Sequence, residues 1–190
     1  MTIDEKDKEY LRSLKEKPDS DEIRIKSIFK EKLMNNNLIL YALNNKKLEK
    51  EDSPADEYFD ENVHDTLIVD LTQTEVENHI CYDVRFDEIS SNNSDFKRGQ
   101  LAVNVICALK NNRDSLSGLA RHDLLAHLIV EEFNYSNCFG SQIVLIESTP
   151  SIVDDEYALR TLVFEYISPN NLVSSRLGDT EFINRSEVRR

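Results

Sequence analysis

Glycine is scarce in this chain: Gly99, Gly118, Gly140 and Gly178 are the only four in 190 residues. No G-x-G-x-x-G fingerprint and no Walker loop can be assembled from them, so a backbone cradle for nucleotide phosphates is excluded. Cysteine is scarcer still. Cys81, Cys107 and Cys138 are odd in number, widely spaced and form no C-x-x-C. That usage fits free thiols in a reducing compartment, and nothing in the chain requires a disulfide or a metal. No apolar run approaches the ~20 residues of a membrane span, and the charged stretch Met1 to Lys17 lacks the apolar centre of a signal peptide. No membrane partner is expected, and synthesis in a cytoplasm is. Basic residues number 23 against 36 acidic ones, a net charge of −13. Binding nucleic acid through its phosphates needs clustered Lys and Arg. The charge therefore serves solubility, or a surface that lies beside nucleic acid without adhering to it.

What is present is periodicity. From Leu119 to Phe133, apolar residues at 119, 124, 125, 128, 129 and 133 form one stripe at helical spacing. Asp19 and Glu22 have capping-box spacing and open an earlier helix that runs to the Asn35-Asn36-Asn37 stop, with Ile25, Ile28, Phe29 and Leu33 facing inward. Leu38 to Leu43 adds a further turn or two of helix. Val76 to Phe86 alternates as a half-buried strand, Gln100 to Leu109 is rich in Val, Ile and Leu like a central strand, and Gln142 to Glu147 and Tyr157 to Ile167 make two more. Thr66 to Asp70 reads as a brief edge strand. Asn44 to Asp65 is a long polar connection, Ile89 to Gly99 a turn region containing Lys97-Arg98-Gly99, and Thr149 to Glu156 the link between the last two strands. Gly140 suits a left-handed position closing the long helix region.

These elements predict an α+β fold: a mostly antiparallel sheet of about four strands with two helices on one face, in the order α-β-β-α-β-β. A polar N-terminal arm (1–18), a single core domain (19–168) containing loop 44–65, and a C-terminal extension (169–190) complete the organisation. The arm admits a surface helix around Tyr10, Leu11 and Leu14, but its even alternation of charge favours a mobile segment. The tail from Asn170 to Arg190 carries Leu172, Val173, Leu177, Phe182, Ile183 and Val188, and is expected to pack on another subunit or a neighbouring protein.

Candidate chemistry does not converge. His122 and His127 stand five apart on the long helix, roughly 140° around its axis, where a helical zinc pair needs i, i+4. His64 and His79 share no spacing. Arg121, His122 and Asp123 point ~100° apart in succession and cannot meet at one substrate. Cys138 lies beside a turn but no base partners it, so a small buried hydrophobe is the expected role. No catalytic residue, no metal ligand and no cofactor is assigned, and an enzyme is not expected.

The order of elements and several segments resemble the tail-terminator and head–tail joining proteins of tailed bacteriophages. The segments are the helix Glu22 to Asn35 with Leu38 to Leu43, the strands Glu75 to Phe86 and Leu101 to Leu109, the run Gly118-Leu119-Ala120-Arg121-His122-Asp123-Leu124-Leu125-Ala126, and the strand Ala158 to Tyr166. The resemblance spans Asp19 to Ile167. It implies a non-enzymatic virion protein of the neck, assembled in the host cytoplasm as a homo-oligomeric ring, with a hexamer favoured. Such a ring terminates the tail tube and offers a surface to a head-side connector or stopper protein, while DNA passes through its lumen without specific binding. Rings close by heterologous contacts, which edge strands and terminal arms can supply. A head-completion or stopper ring on the portal side is the alternative within this class. From another class, a soluble regulatory protein using the acidic stretch Asp52 to Glu61 as its partner site is the alternative.

Overall fold

Alternation along the strands decides how the sheet faces. The computed structural model describes residues 5–16, 21–48, 58–67, 77–88, 96–110, 112–153 and 155–169. Five strands, β1 (Val63–His64), β2 (Asn78–Glu88), β3 (Phe96–Ala108), β4 (Val144–Val153) and β5 (Tyr157–Pro169), lie in the order β1-β2-β3-β5-β4. All pairs are antiparallel except β1 with β2. Ile80, Tyr82, Val84, Leu101, Val103, Val105, Leu162, Phe164 and Tyr166 all point to one face and are buried. The two-residue side-chain period of a strand makes that face continuous across β2, β3 and β5.

Three helices cover it: α2 (Asp21–Met34), α3 (Asn37–Ala42) and α4 (Arg121–Phe133). From α2 come Ile25, Phe29 and Leu33, from α3 Ile39 and Ala42, and from α4 Leu125, Leu128, Ile129 and Phe133. Phe29 sits at the centre, its ring 4.7 Å from that of Tyr82 and 4.6 Å from that of Phe133. Each such fully buried side chain contributes ~1.5–3 kcal/mol by leaving water. Asn36 ends one helix and starts the next, because its Oδ1 accepts from the backbone N–H of Leu38 and Ile39 and so caps α3. Lys32 and Asn36 both reach Glu132, at 2.9 and 3.1 Å, and tie α2 and α3 to α4.

The α+β class and the antiparallel bias of the sheet are as expected; the details differ in instructive ways. Among the described residues there are five strands, not four, and three helices on the covered face, not two. Residues Glu5–Glu16 form a helix, α1, the helical one of the two readings of the N-terminal segment. The supposed polar loop after α3 buries Phe59, Asn62 and Val63 and contains β1, which lies ahead of the Thr66 to Asp70 strand expected from sequence. Residues 65–67 form a bend, and 68–70 lie outside the described residues, as do 17–20 with Asp19 of the proposed capping box, and 170–190. Lys97-Arg98-Gly99 belongs to β3 rather than to a turn. Strand β4 runs on through Pro150 to Val153, where a connecting link was expected. Leu119 precedes α4 and is exposed, so it leaves the stripe that the rest of that helix buries. Gly140 is left-handed (φ 92°), but in a turn beyond the helix rather than at its cap.

Three buried asparagines hold residues 43–48 and 58–64 together at the end of the sheet. The Asn45 amide donates to Asn62 Oδ1 (2.7 Å), the Asn62 amide to the Asn78 carbonyl (2.7 Å), and the Asn78 amide to the Leu43 carbonyl (2.9 Å). Buried amides satisfied in this way cross-link three chain segments at little cost, whereas unsatisfied ones would destabilise the fold.

Candidate functional site

The candidate residues are distributed, not assembled. Arg121 turns inward at the start of α4 and lies 3.7 Å from the buried carboxylate of Asp114. Asp114 also accepts from Tyr41 Oη, from the backbone N–H of Leu116 and Ser117, and from Ser117 Oγ. The Ser117 N–H, then the two hydroxyls, hold its carboxyl well below the usual carboxylate range. This network ties residues 114–117 to α3 and α4. His122 meets Asn112 at 3.2 Å and Asp123 at 3.5 Å, while His127 is exposed. Asp123 receives both Nε and Nη2 of Arg160, at 2.9 and 2.6 Å, and Arg160 Nη1 donates to Ser148 Oγ. Ser148 is thus held by a cation rather than by a base, an arrangement that fixes α4 against β4 and β5 without activating the hydroxyl.

Both members of the basic pair are engaged within the sheet. Lys97 Nζ lies 4.1 Å from the centre of the Phe86 ring, and Arg98 lies 3.6 Å from Glu165. The thiols are inert: burial pushes Cys81 up to about 11 and Cys107 up to about 12, and raises Cys138 as well. Of the acidic stretch Asp52 to Glu61, residues 52–57 lie outside the described residues. Asp60 pairs with Lys30, and Glu61 with Lys47 at 2.7 Å. One pair escaped the sequence reading. His64 and His79, on neighbouring strands β1 and β2, bring Nε2 and Nδ1 within 3.2 Å. Parallel pairing of a two-residue strand leaves no periodic signal that could have announced it. Among the described residues, no three His, Cys, Asp or Glu side chains are placed to hold a metal ion, and no helix is long and apolar enough to cross a membrane.

The sheet face opposite the helices carries a row of polar pairs. Arg85 and Gln100 (2.9 Å), Asn104 and Thr161 (2.8 Å), and Arg98 with Glu165 hydrogen-bond or pair across it, side by side with Ala102 and Val163. Its β1 end is covered: Asn104 Nδ2 donates to the Leu67 carbonyl, and His79 and Cys81 are fully buried there. Towards β4 it is open. A register shift between Leu145 and Glu147 turns Ile146 out to 51 % exposure, beside a groove of about 390 Å³. Half-buried apolar residues among satisfied polar ones are the make-up of a protein contact surface.

No curated protein matches the chain. The family model named YomW matches residues 35–166, from just after α2 to Tyr166 in β5, well over half of the 190 residues. The chain therefore belongs to the YomW family, a family of bacteriophage type.

Proposed function

We propose that this chain is a structural virion protein of the phage neck, forming a ring that terminates the tail tube and joins it to the head connector. The observation that carries the reading is the one-sided build of the fold. Helices seal one sheet face, while the other presents Arg85, Gln100, Ala102, Glu165 and Ile146 to its surroundings, in a chain of a phage-type family. A ring subunit needs two different patches that fit each other, and a face over which no helix packs among the described residues supplies one. The net charge of −13 suits a lumen through which DNA slides, since a surface of like charge gives phosphates nothing to bind. In this reading the role is non-enzymatic. The networks around Asp114 and Asp123 serve to stiffen the subunit.

Electron microscopy of particles lacking this protein tests the reading. Tails of irregular length beside unattached heads are the expected result. Heads that leak DNA beside free tails of normal length would move the ring to the portal side, as a stopper. Normal particles, with the protein absent from purified virions, would overturn the neck assignment and favour a soluble regulatory role.

A further inference from the structure

The groove on the open sheet face lies between β2, β3, β4 and β5, lined by Leu67, Arg85, Gln100, Ala102, Ile146 and Val163. Two of its apolar groups reach solvent: Ile146 is 51 % exposed and Leu67 37 %. Ile167, on the same face of β5 two residues before the strand ends, is 53 % exposed. The sequence beyond β5 has matching chemistry. Residues 170–190 bring Leu172, Val173, Leu177, Phe182, Ile183 and Val188. They also carry four arginines against three carboxylates, a slight positive excess in a chain whose net charge is −13. Glu147 stands at the groove to meet them.

We infer that the groove is the seat of residues 170–190 from a neighbouring copy of this chain. Direction favours a neighbour. β5 runs from Val163, beside the groove, to Pro169, so at about 3.3 Å per residue the described chain ends ~20 Å past the groove. The tail's 21 residues span up to ~70 Å when extended, enough to reach the same face of an adjacent subunit. Tail and groove are different patches of one chain, so each subunit gives a tail to one neighbour and accepts one from the other. That is the heterologous contact from which rings close. The inference rests on the ring reading above and names its contact.

Complementation between two full-length variants tests it. Ile146→Arg spoils the groove and keeps the tail; Phe182→Asp with Ile183→Asp spoils the tail and keeps the groove. Val163→Arg is a second groove variant. Ile146 and Val163 both lie outside the sealed core, and melting curves confirm that each variant folds. The wild type is expected to self-associate in light scattering after size exclusion. Each variant alone should associate at least ~30-fold more weakly, the equivalent of losing about 2 kcal/mol of contact. An equimolar mixture of the groove and tail variants should form heterodimers, because one intact tail and one intact groove remain. A mixture that stays monomeric, with the tail variant melting lower than wild type, would place the tail on its own subunit and overturn the inference. Undiminished assembly of both groove variants would also overturn it while leaving the ring intact. A wild type that stays monomeric at its highest soluble concentration overturns it too, and particle microscopy then judges the ring separately.

Discussion

Gly99 is the position where one added methyl group should do the most damage. It lies in the middle of the sheet, paired to Phe86 on one side and Tyr166 on the other. The Tyr166 ring lies across its backbone, and a Cβ at position 99 would overlap that ring. A side-chain tip at the surface could swing clear, but Tyr166 is 2 % exposed and wedged between Phe139, 5.2 Å away, and Phe86, 6.1 Å away, both edge-on. Moving it forfeits part of two aromatic contacts worth ~0.5–1.5 kcal/mol each, within the ~1–3 kcal/mol typical of overpacking. Against this, alanine gains ~0.5–1 kcal/mol over glycine in a strand. The net expectation for Gly99→Ala is a loss of about 1 kcal/mol, which lowers Tm by roughly 2–4 °C in a chain of this size. Urea unfolding measures it, and a double-mutant cycle identifies the cause. In a Tyr166→Leu background the same substitution should be neutral or slightly stabilising. Equal destabilisation in both backgrounds, or stabilisation of the wild type, would refute the reasoning.

Other substitutions address the networks. Asp114→Ala leaves the Arg121 guanidinium buried without its carboxylate and should cost about 3–5 kcal/mol in urea unfolding, whereas exposed Arg113→Ala should cost under ~0.5 kcal/mol. Asn62→Ala strands the Asn45 amide and frees the Asn78 carbonyl; a loss of about 2–3 kcal/mol is expected, with amide exchange rising first at Ile80, whose N–H donates to the Asn62 carbonyl. Stability should also fall with pH in two steps. Burial lowers the His64 pKa, against the pull of the Glu61 backbone, Asp60 and Asp65, so below about pH 6.5 the unfolded chain binds the proton more readily and stability drops. His64→Asn should flatten that step. The hydrogen-bonded Asp114 carboxyl titrates below its unfolded value, so its contribution is complete above about pH 4 and is lost as pH falls further. Urea midpoints from pH 8 to 3 check both signs.

Where the fold was legible in the sequence, a single period governed a long segment. Val84, Tyr82 and Ile80 alternate cleanly, and Leu125, Leu128, Ile129 and Phe133 repeat at helical spacing; both patterns are the buried stripes found. Segments governed by something other than period were misread. Strand β1 is two residues long and is held by Asn62 and its neighbours, whose polar side chains resemble those of any loop. Pro150 and the serines around it read as a connection, yet an edge strand tolerates proline because only one side of it needs donors. Gly99 beside Lys97-Arg98 looked like a turn, when its missing side chain makes room for Tyr166. The open sheet face was invisible for a related reason: its residues are individually ordinary and acquire meaning through register.

Strand β4 also bears on how the protein behaves in crowded solution. A ten-residue edge, exposed from Ile146 to Ile152, is a template on which further copies could stack without limit, as in a fibre. Three features interrupt such growth. The extra residue at Ile146 breaks the even spacing of the backbone groups, Glu147 would bring charge against charge in stacked copies, and Pro150 has no N–H to offer an incoming strand. No continuous ladder of any length fits this edge. This edge therefore gives the chain little tendency to form amyloid, and replacing Pro150 by valine while removing the charge of Glu147 should shorten the lag time of its aggregation.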